Sequence, residues 1–296
     1  MKKFLFIGII PLILISLSMK SDKPAYTIFT GKGKTADYAD LLKEANTADI
    51  ILFGELHDNP ICHWLEYELT SDLFSTKGTN LVLGAEMFEA DNQLLVNEYI
   101  NKIIRKKDFE AEAKLWPNYK TDYAPIMSLA RDSAIKVVAT NIPRRYAALV
   151  NAKGLECLDT MKAISRAYIA PLPIHYDSTL ECYSSIRKNA GEGMPVHLMK
   201  NLPQAQAIKD ATMAHFILKN GIEDQTTFLH FNGAYHSDNY QGIVWYLNDY
   251  LKRTNYSLKI MTISCVEQDG LKDLSKGNVG RADFIIVIPA TMTKSQ

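Results

Sequence analysis

The chain has 296 residues, and its 33 lysines and arginines balance 33 aspartates and glutamates. A protein that binds nucleic acid through its phosphates needs a net positive surface, so this neutral sum argues against a nucleic-acid partner. The hydrophobic content of 47% also excludes a disordered, highly charged chain.

Residues 1–18 have the pattern of a secretory signal peptide: two lysines, an apolar run from Phe4 to Leu17, and a small-residue exit. The run is shorter than the roughly 20 residues that span a bilayer. An uncleaved N-terminal anchor is the alternative. Lipid attachment would need a cysteine just after the run, but the first cysteine is Cys62. We therefore expect an exported protein, in the periplasm or associated with the outer membrane.

After a polar stretch, apolar runs alternate with segments whose apolar residues have helical spacing. Short runs that are rich in β-branched and other apolar residues predict buried parallel strands, and 3.6-residue periodicity predicts helices. The predicted elements in chain order are a strand at 49–53, a helix through 64–73, a strand at 80–83, helices through 94–103 and at 125–133, a strand at 135–139, a helix at 202–220, a strand at 226–231, a helix at 241–251, and strands at 258–264 and 284–288.

Strands separated by helices indicate βαβ units. We therefore predict an α/β fold with a mainly parallel sheet, helices on both faces and a helical insertion. The domain is expected to span residues 45–290, after an N-terminal segment at 19–44. Residues 152–200 break the alternation, because they are rich in proline and tyrosine, and we interpret them as the insertion or lid.

Polar residues follow the predicted strands at the point where each strand ends. Glu55 and His57 follow the first strand, Glu86 the second, and Asn232 and His236 the fourth. Open α/β sheets place their ligand crevices at the carboxyl ends of parallel strands. The sequence therefore predicts that these separate segments converge on one edge of the sheet.

Two carboxylates and two imidazoles allow two kinds of chemistry. Glu55, His57, Glu86 and His236 are suitable ligands for a divalent metal. They are equally suitable for an acid–base network in which Glu86 orients one histidine. A structural alternative is that Glu55 and His57 only cap the helix that begins near Pro60.

Further polar residues are placed to support such a site. Asn141, Arg144 and Arg145 follow the third strand, and Asn232 lies in the fourth strand-end segment. Neighbouring residues on a helix point about 100° apart, so we expect only one of the two arginines to face the site. Asp210, on the long helix, is either a buried partner of one arginine or a member of the site.

Five motifs follow one another along the chain: Gly54–Asn59, Glu86–Phe88, Thr140–Arg145, Gln206–Ala214 and Asn232–His236. Together they resemble the ChaN-type haem-binding, iron-regulated envelope proteins, which are related in fold to Tiki metalloproteases and erythromycin esterases. The resemblance implies haem binding at a homodimer interface, axial ligation by tyrosine, propionates held by histidine and lysine, and envelope-membrane association. The family is usually a lipoprotein, whereas this sequence has no lipid-acceptor cysteine just after the apolar run.

The sequence does not single out the haem ligand among 15 tyrosines. Tyr176 and Tyr183 are seven residues apart, hence on one helix face, and with His175 they are our candidate haem-binding residues. Three functions follow: an exported haem-binding protein in haem or iron acquisition, a metal-dependent esterase or peptidase that uses the Glu/His cluster, or a non-catalytic interaction domain.

Overall fold

The computed structural model describes residues 23–186, 200–222, 226–254 and 256–295. The predicted signal peptide at 1–18 and residues 187–199 of the insertion lie outside these ranges. The strands are β1 (Thr27–Thr30), β2 (Thr35–Ala36), β3 (Ile50–Glu55), β4 (Leu81–Glu89), β5 (Lys136–Asn141), β6 (Thr227–Gly233), β7 (Ile260–Gln268) and β8 (Phe284–Pro289). The helices are α1 (Tyr38–Ala45), α2 (Pro60–Lys77), α3 (Gln93–Ile100), α4 (Lys106–Glu112), α5 (Ala124–Asp132), α6 (Arg144–Lys153), α7 (Ala163–Arg166), α8 (Glu181–Ser184), α9 (Leu202–Gly221) and α10 (Ile243–Leu251).

The strands form one eight-stranded sheet in the order β2-β1-β8-β7-β3-β6-β4-β5. Strands β8 to β5 in this order all run parallel, while β1 pairs antiparallel with β8 and β2 antiparallel with β1. Every residue of β3 is buried, as expected of a strand covered on both sides. The predicted α/β fold with a mainly parallel sheet is confirmed.

Helices pack on both faces of this sheet. One face buries Leu65 and Leu69 of α2 against Phe53 of β3. The other face buries residues of α9 and α10, such as Ile208 and Leu247. Within the described ranges, no helix has both the length and the apolar character needed to cross a membrane.

The strands that carry the predicted site are longer than the sequence pattern indicates. Strand β3 continues through Glu55, and β4 continues to Glu89 with a shift in its pairing to β5 after Ala85. In both strands a polar side chain ends the run of apolar residues. The apolar pattern that predicts a strand therefore stops before the hydrogen bonding between strands does. Glu55 and Glu86 are therefore held by the sheet itself.

Part of the predicted N-terminal segment belongs to this sheet, because β1 and β2 lie between residues 19 and 44. The insertion contains the short helices α7 and α8 and, in its described residues, no strand.

Candidate functional site

The structure brings the four strand-end side chains together at one edge of the sheet. Glu55, Glu86 and His236 are buried, with 1%, 5% and 5% of their surface exposed. The side chain of His57 is 46% exposed. The site therefore presents one imidazole to solvent above a buried set of charges.

His57 is held by a buried carboxylate. Its Nδ1 lies 2.7 Å from Oε1 of Glu55, and Tyr123 donates its hydroxyl to the same oxygen at 2.7 Å. Burial lowers the pKa of His57, but the hydrogen bond to Glu55 and the charge of Glu86 outweigh it and raise the pKa above its ordinary value. Since Nδ1 donates to Glu55, the imidazole is fixed in orientation.

His236 lies between two buried carboxylates. Its Nε2 is 3.1 Å from Oε1 of Glu86, and its Nδ1 donates to Oδ1 of Asp210. The other oxygen of Glu86 accepts the backbone N–H of Gly233 at 2.8 Å, and Tyr183 donates to Asp210 at 2.6 Å. Asp210 is therefore placed in the site and not against either arginine.

His236 and Glu86 stabilise each other's charged forms. Burial alone would lower the pKa of His236, but the charges of Glu86 and Asp210 raise it to about 10. Burial would raise the pKa of Glu86, but His236, His57 and the Gly233 N–H lower it to about 2. His236 is therefore an imidazolium at neutral pH, with both nitrogens bonded to carboxylates, and in this arrangement it is not free to bind a metal.

The Glu55–His57 pair and the Glu86–His236 pair meet at Gly233. A Cβ atom built on this glycine would lie 2.7 Å from Cε1 and Nε2 of His57 and 3.6 Å from Oε2 of Glu86. His57 therefore packs directly on the backbone of the β6 end, and only a residue without a side chain permits that approach.

The predicted supporting residues take different places. Asn141 donates to the backbone carbonyl of Glu86 at 2.9 Å, and buried Asn232 accepts from His230 at 3.0 Å. Burial lowers the pKa of His230 to about 4, so this second buried imidazole is neutral. Arg145 lies outside the site, where it pairs with Asp91.

A cleft of about 440 Å³ opens beside Glu86. Trp116 lies on its wall, and its ring is 4.8 Å from that of His57. Arg144 and Lys209 also line the cleft, and neither forms an ion pair within the described ranges. The cleft thus combines the buried carboxylate of Glu86 with cationic side chains.

A second polar cluster lies under Glu55, and the sequence analysis missed it. Atoms of Glu55, His63 and Glu66 that can bind a metal lie within 4.8 Å of one another, and all three residues are buried. Oε2 of Glu55 and Oε1 of Glu66 have no hydrogen-bond partner. Of the four predicted metal ligands, only Glu55 belongs to this group. The His-x-x-Glu spacing on one face of α2 was the available signal.

Burial and the charge of Glu55 raise the pKa of Glu66 well above its ordinary value. Burial beside Glu55 therefore favours the protonated form of Glu66. A divalent cation would compensate the negative charge of the Glu55–Glu66 pair as a proton does, since carboxylate oxygens and imidazole are ordinary ligands for zinc.

The three candidate haem-binding residues do not form one group. Tyr183 is 1% exposed, and its hydroxyl is committed to Asp210. Tyr176 packs against it, with 5.8 Å between ring centroids. His175 instead lies at the surface, where its Nδ1 is 3.3 Å from Asp249.

A family model described as haem-binding uptake, Tiki superfamily, ChaN matches residues 41–247. The structure of ChaN of Campylobacter jejuni with cofacially bound haem is similar, with a TM-score of 0.66 at 18% identity, covering 90% of this chain and 97% of that one. A mutant erythromycin esterase, EreC, has a TM-score of 0.50 at 10% identity, covering 91% and 99%. At these identities the structural likeness shows the fold alone.

Among curated proteins, RETICULATA-RELATED 5, chloroplastic, of Arabidopsis thaliana is 26% identical over 200 residues. The alignment covers 64% of this chain and 26% of that protein, so the chain spans about a quarter of the length of this relative.

Proposed function

The chain belongs to the ChaN family of haem-binding uptake proteins in the Tiki superfamily, and from this premise we propose that it binds haem for haem or iron acquisition. The observation that carries the proposal is the family match over residues 41–247, because this range contains all five strand-end and helix motifs. Haem is here the cargo, and the protein supplies its ligand and its pocket.

The donor groups at the surface fit such a cargo. Haem iron needs an accessible ligand atom, which buried Tyr183 does not offer. His175 does, because its side chain is 54% exposed and its Nδ1 donates to Asp249. Asp249 stands behind this imidazole, as a carboxylate does behind many histidines that bind metals.

A hemin titration tests this proposal. We expect the purified protein to shift the Soret absorption of hemin and to saturate at a fixed stoichiometry. The same titration of the chain unfolded in denaturant is the control for non-specific association with apolar segments. A spectrum identical to that of hemin in buffer, or a shift that persists unchanged in denaturant, would contradict haem binding by the folded protein.

Export is the second part of the proposal, and it is supported by the signal-peptide pattern of residues 1–18. Fractionation of cells that express the full chain, with mass spectrometry of the N-terminus, tests it. We expect a chain that begins near Met19 in the envelope fraction. A chain recovered with residues 1–18 in the cytosolic fraction would overturn export, and an intact N-terminus in the membrane fraction would indicate the anchor.

Acquisition predicts a growth phenotype. We expect a strain without this protein to grow poorly when haem is the sole iron source and normally when inorganic iron is supplied. Equal growth of both strains on haem would contradict the role in acquisition without affecting haem binding.

The implied homodimer is tested by sedimentation with and without hemin, where a dimer that forms on hemin addition is expected.

The geometry of the strand-end site favours a second candidate, hydrolysis by acid–base chemistry. His57 is an exposed imidazole fixed by Glu55, and the imidazolium of His236 lies beside Glu86 in the same site. His57 can take a proton from water, and the cationic side chains of Arg144 and Lys209 in the adjoining cleft can stabilise negative charge that develops on a substrate oxygen. The cationic wall of the cleft would suit an anionic ester.

Gly233→Ala tests this candidate, because an added Cβ would collide with the ring of His57. We expect any esterase activity to fall on the order of 10²-fold, as for a small displacement of a catalytic group. Gly270→Ala is the matched control, since a Cβ there would meet nothing within 4 Å. Equal activity of the two variants, or no hydrolysis of an ester panel by the unaltered protein, would exclude the hydrolase.

A further inference from the structure

The two oxygens of the buried Glu55 carboxylate face different neighbours. Oε1 accepts the hydroxyl of Tyr123 and lies 2.7 Å from Nδ1 of His57. Oε2 lies 3.5 Å from Nδ1 of His63 and has no hydrogen-bond partner in the part of the chain that the structure describes. The second oxygen therefore faces α2 without a donor of its own.

Two side chains of α2 meet this oxygen. His63 and Glu66 are three residues apart and share a helix face, with 3.0 Å between Nδ1 of His63 and Oε2 of Glu66. Glu55, His63 and Glu66 are 1%, 5% and 0% exposed, and Oε1 of Glu66 is also unpartnered among the described residues. Two carboxylates this close and out of water repel each other unless a proton or a cation lies between them.

The neutral tautomer of His63 directs a lone pair at this pair of carboxylates. Its Nε2 lies 3.0 Å from the backbone carbonyl of His57, and a carbonyl only accepts, so Nε2 carries the hydrogen and Nδ1 can be a ligand atom. Asn118 donates to the same carbonyl at 2.7 Å and to Asp122 at 2.7 Å. Asp122 in turn lies 3.6 Å from Nε2. The ring is thus oriented from behind, as in histidines that bind metals.

The spacing of the donor atoms matches a metal site. Two ligand atoms that bind one zinc ion at about 2.1 Å lie about 3.4 Å apart in tetrahedral geometry. Nδ1 of His63 is 3.0 Å from Oε2 of Glu66 and 3.5 Å from Oε2 of Glu55. Glu66 can bind through both oxygens, which gives four donor atoms. Two carboxylates, a neutral imidazole and a divalent cation have no net charge, which suits a buried position.

The strand-end side chains offer no comparable set of free donor atoms. Both nitrogens of His236 face carboxylates, and one oxygen of Glu86 accepts the backbone N–H of Gly233. Nδ1 of His57 is engaged with Glu55. The ligand atoms that need a partner are therefore those on the α2 side of Glu55.

We propose that Glu55, His63 and Glu66 bind a divalent cation of the zinc class. The ion joins the end of β3 to the beginning of α2, and it holds the carboxylate that orients His57. This site shares only Glu55 with the strand-end residues. It goes beyond the proposed haem binding and does not depend on it.

Metal analysis of the full chain tests the site. We expect one zinc per chain when the protein is purified from cells supplied with zinc, and a higher thermal midpoint than in protein from zinc-depleted cells, because the ion binds the folded chain. Glu66→Gln keeps the shape of the side chain and removes a negative ligand. It should weaken zinc binding at least about 100-fold, since even the loss of an outer-shell partner costs about 10- to 100-fold.

The metal-free proteins separate a ligand from a residue that only supports folding. Without zinc, Glu66→Gln should be at least as stable as the unaltered protein, because one of two apposed carboxylates is gone, and zinc should no longer raise its thermal midpoint. His63→Ala is a second variant that should lose zinc. Glu112→Gln, an exposed glutamate at the end of α4, is the matched control and should keep both the zinc content and the zinc-dependent rise.

The zinc X-ray absorption spectrum identifies the ligands independently of stability. We expect one imidazole, oxygen ligands and no sulfur. Two imidazoles, with zinc lost in Glu86→Gln but kept in Glu66→Gln, would place the ion among the strand-end residues and overturn the assignment. Sulfur ligation, or an unaltered protein without stoichiometric zinc, would overturn it as well. None of these outcomes bears on the hemin titration, so the two proposals fail separately.

Discussion

At the residue scale, His236 shows how the site is stabilised. Its imidazolium lies between Glu86 and Asp210, and all three side chains are buried. Removing one member of such a group leaves an uncompensated buried charge, which costs about 3–5 kcal/mol. The pairing therefore makes the free energy of unfolding depend on pH.

We expect the free energy of unfolding to fall as the pH rises toward 10. The pKa of His236 is raised from 6.5 to about 10, so its contribution is fully present below pH 6.5 and is lost as the pH passes through 10. Glu86 acts in the opposite direction: its pKa is lowered from 4.5 to about 2, so its contribution is present above pH 4.5 and is lost as the pH falls toward 2.

Urea unfolding across this pH range measures the effect, and His236→Gln should flatten its alkaline side. His230→Gln is the matched control, because His230 is buried but neutral at these pH values. It should leave the alkaline side unchanged even if it lowers stability overall. An equal alkaline decline in the unaltered protein and in His236→Gln would show that another group is responsible.

At the scale of elements, α9 serves two regions of the molecule. Asp210 lies on its buried face and binds His236, whereas His215 and Lys219 lie on the face that lines a surface cleft beside α10. Helix α2 has a comparable role, because it begins three residues after His57 and carries His63 and Glu66. The beginning of α2 therefore affects both polar clusters.

Asn59 caps α2, and its loss should destabilise the protein. Its side chain accepts the N–H of Ile61 at 3.1 Å and donates to Glu267 at 3.2 Å. Asn59→Ala is expected to cost about 1 kcal/mol, the usual value for a lost N-cap. Asn59→Ser keeps a capping oxygen and should recover most of that loss in urea unfolding. Equal destabilisation by alanine and serine would indicate that the contact with Glu267 matters and the cap does not.

At the scale of the whole molecule, β1 and β2 complete the sheet beyond β8. Strand β8 is apolar and almost wholly buried, and β1 covers its outer edge. An uncovered apolar edge strand is a template for pairing with other chains. The segment at 27–36 therefore protects the edge of β8 from pairing with other chains.

Deletion of residues 23–36 should promote aggregation, because it exposes the edge of β8. Light scattering and size-exclusion chromatography are expected to show large species and a lower thermal midpoint. A shorter deletion of residues 23–25 leaves β1 in place and is the matched control. A monodisperse product from the longer deletion, with an unchanged thermal midpoint, would contradict a protective role for β1.

The local pattern of the sequence was sufficient for the fold class and for the convergence of strand-end residues. Alternation of apolar runs is a local property, and parallel strands necessarily bring their carboxyl ends to one edge. Glu55, His57, Glu86 and His236 were accessible to this reasoning for that reason. The ends of β3 and β4 were not, because polar side chains there interrupt the apolar pattern while the backbone pairing continues.

Tertiary structure alone decided which partner each of these groups has. Hydrogen bonds join side chains that are distant in sequence, and burial depends on the whole fold. Sequence spacing therefore does not show that Tyr183 binds Asp210, or that both nitrogens of His236 bind carboxylates. The surface cleft is also a product of packing, because α9, α10 and the insertion form it jointly. The balanced charge of the chain argues against a nucleic-acid partner, and burial and proximity decided which of those charges act together.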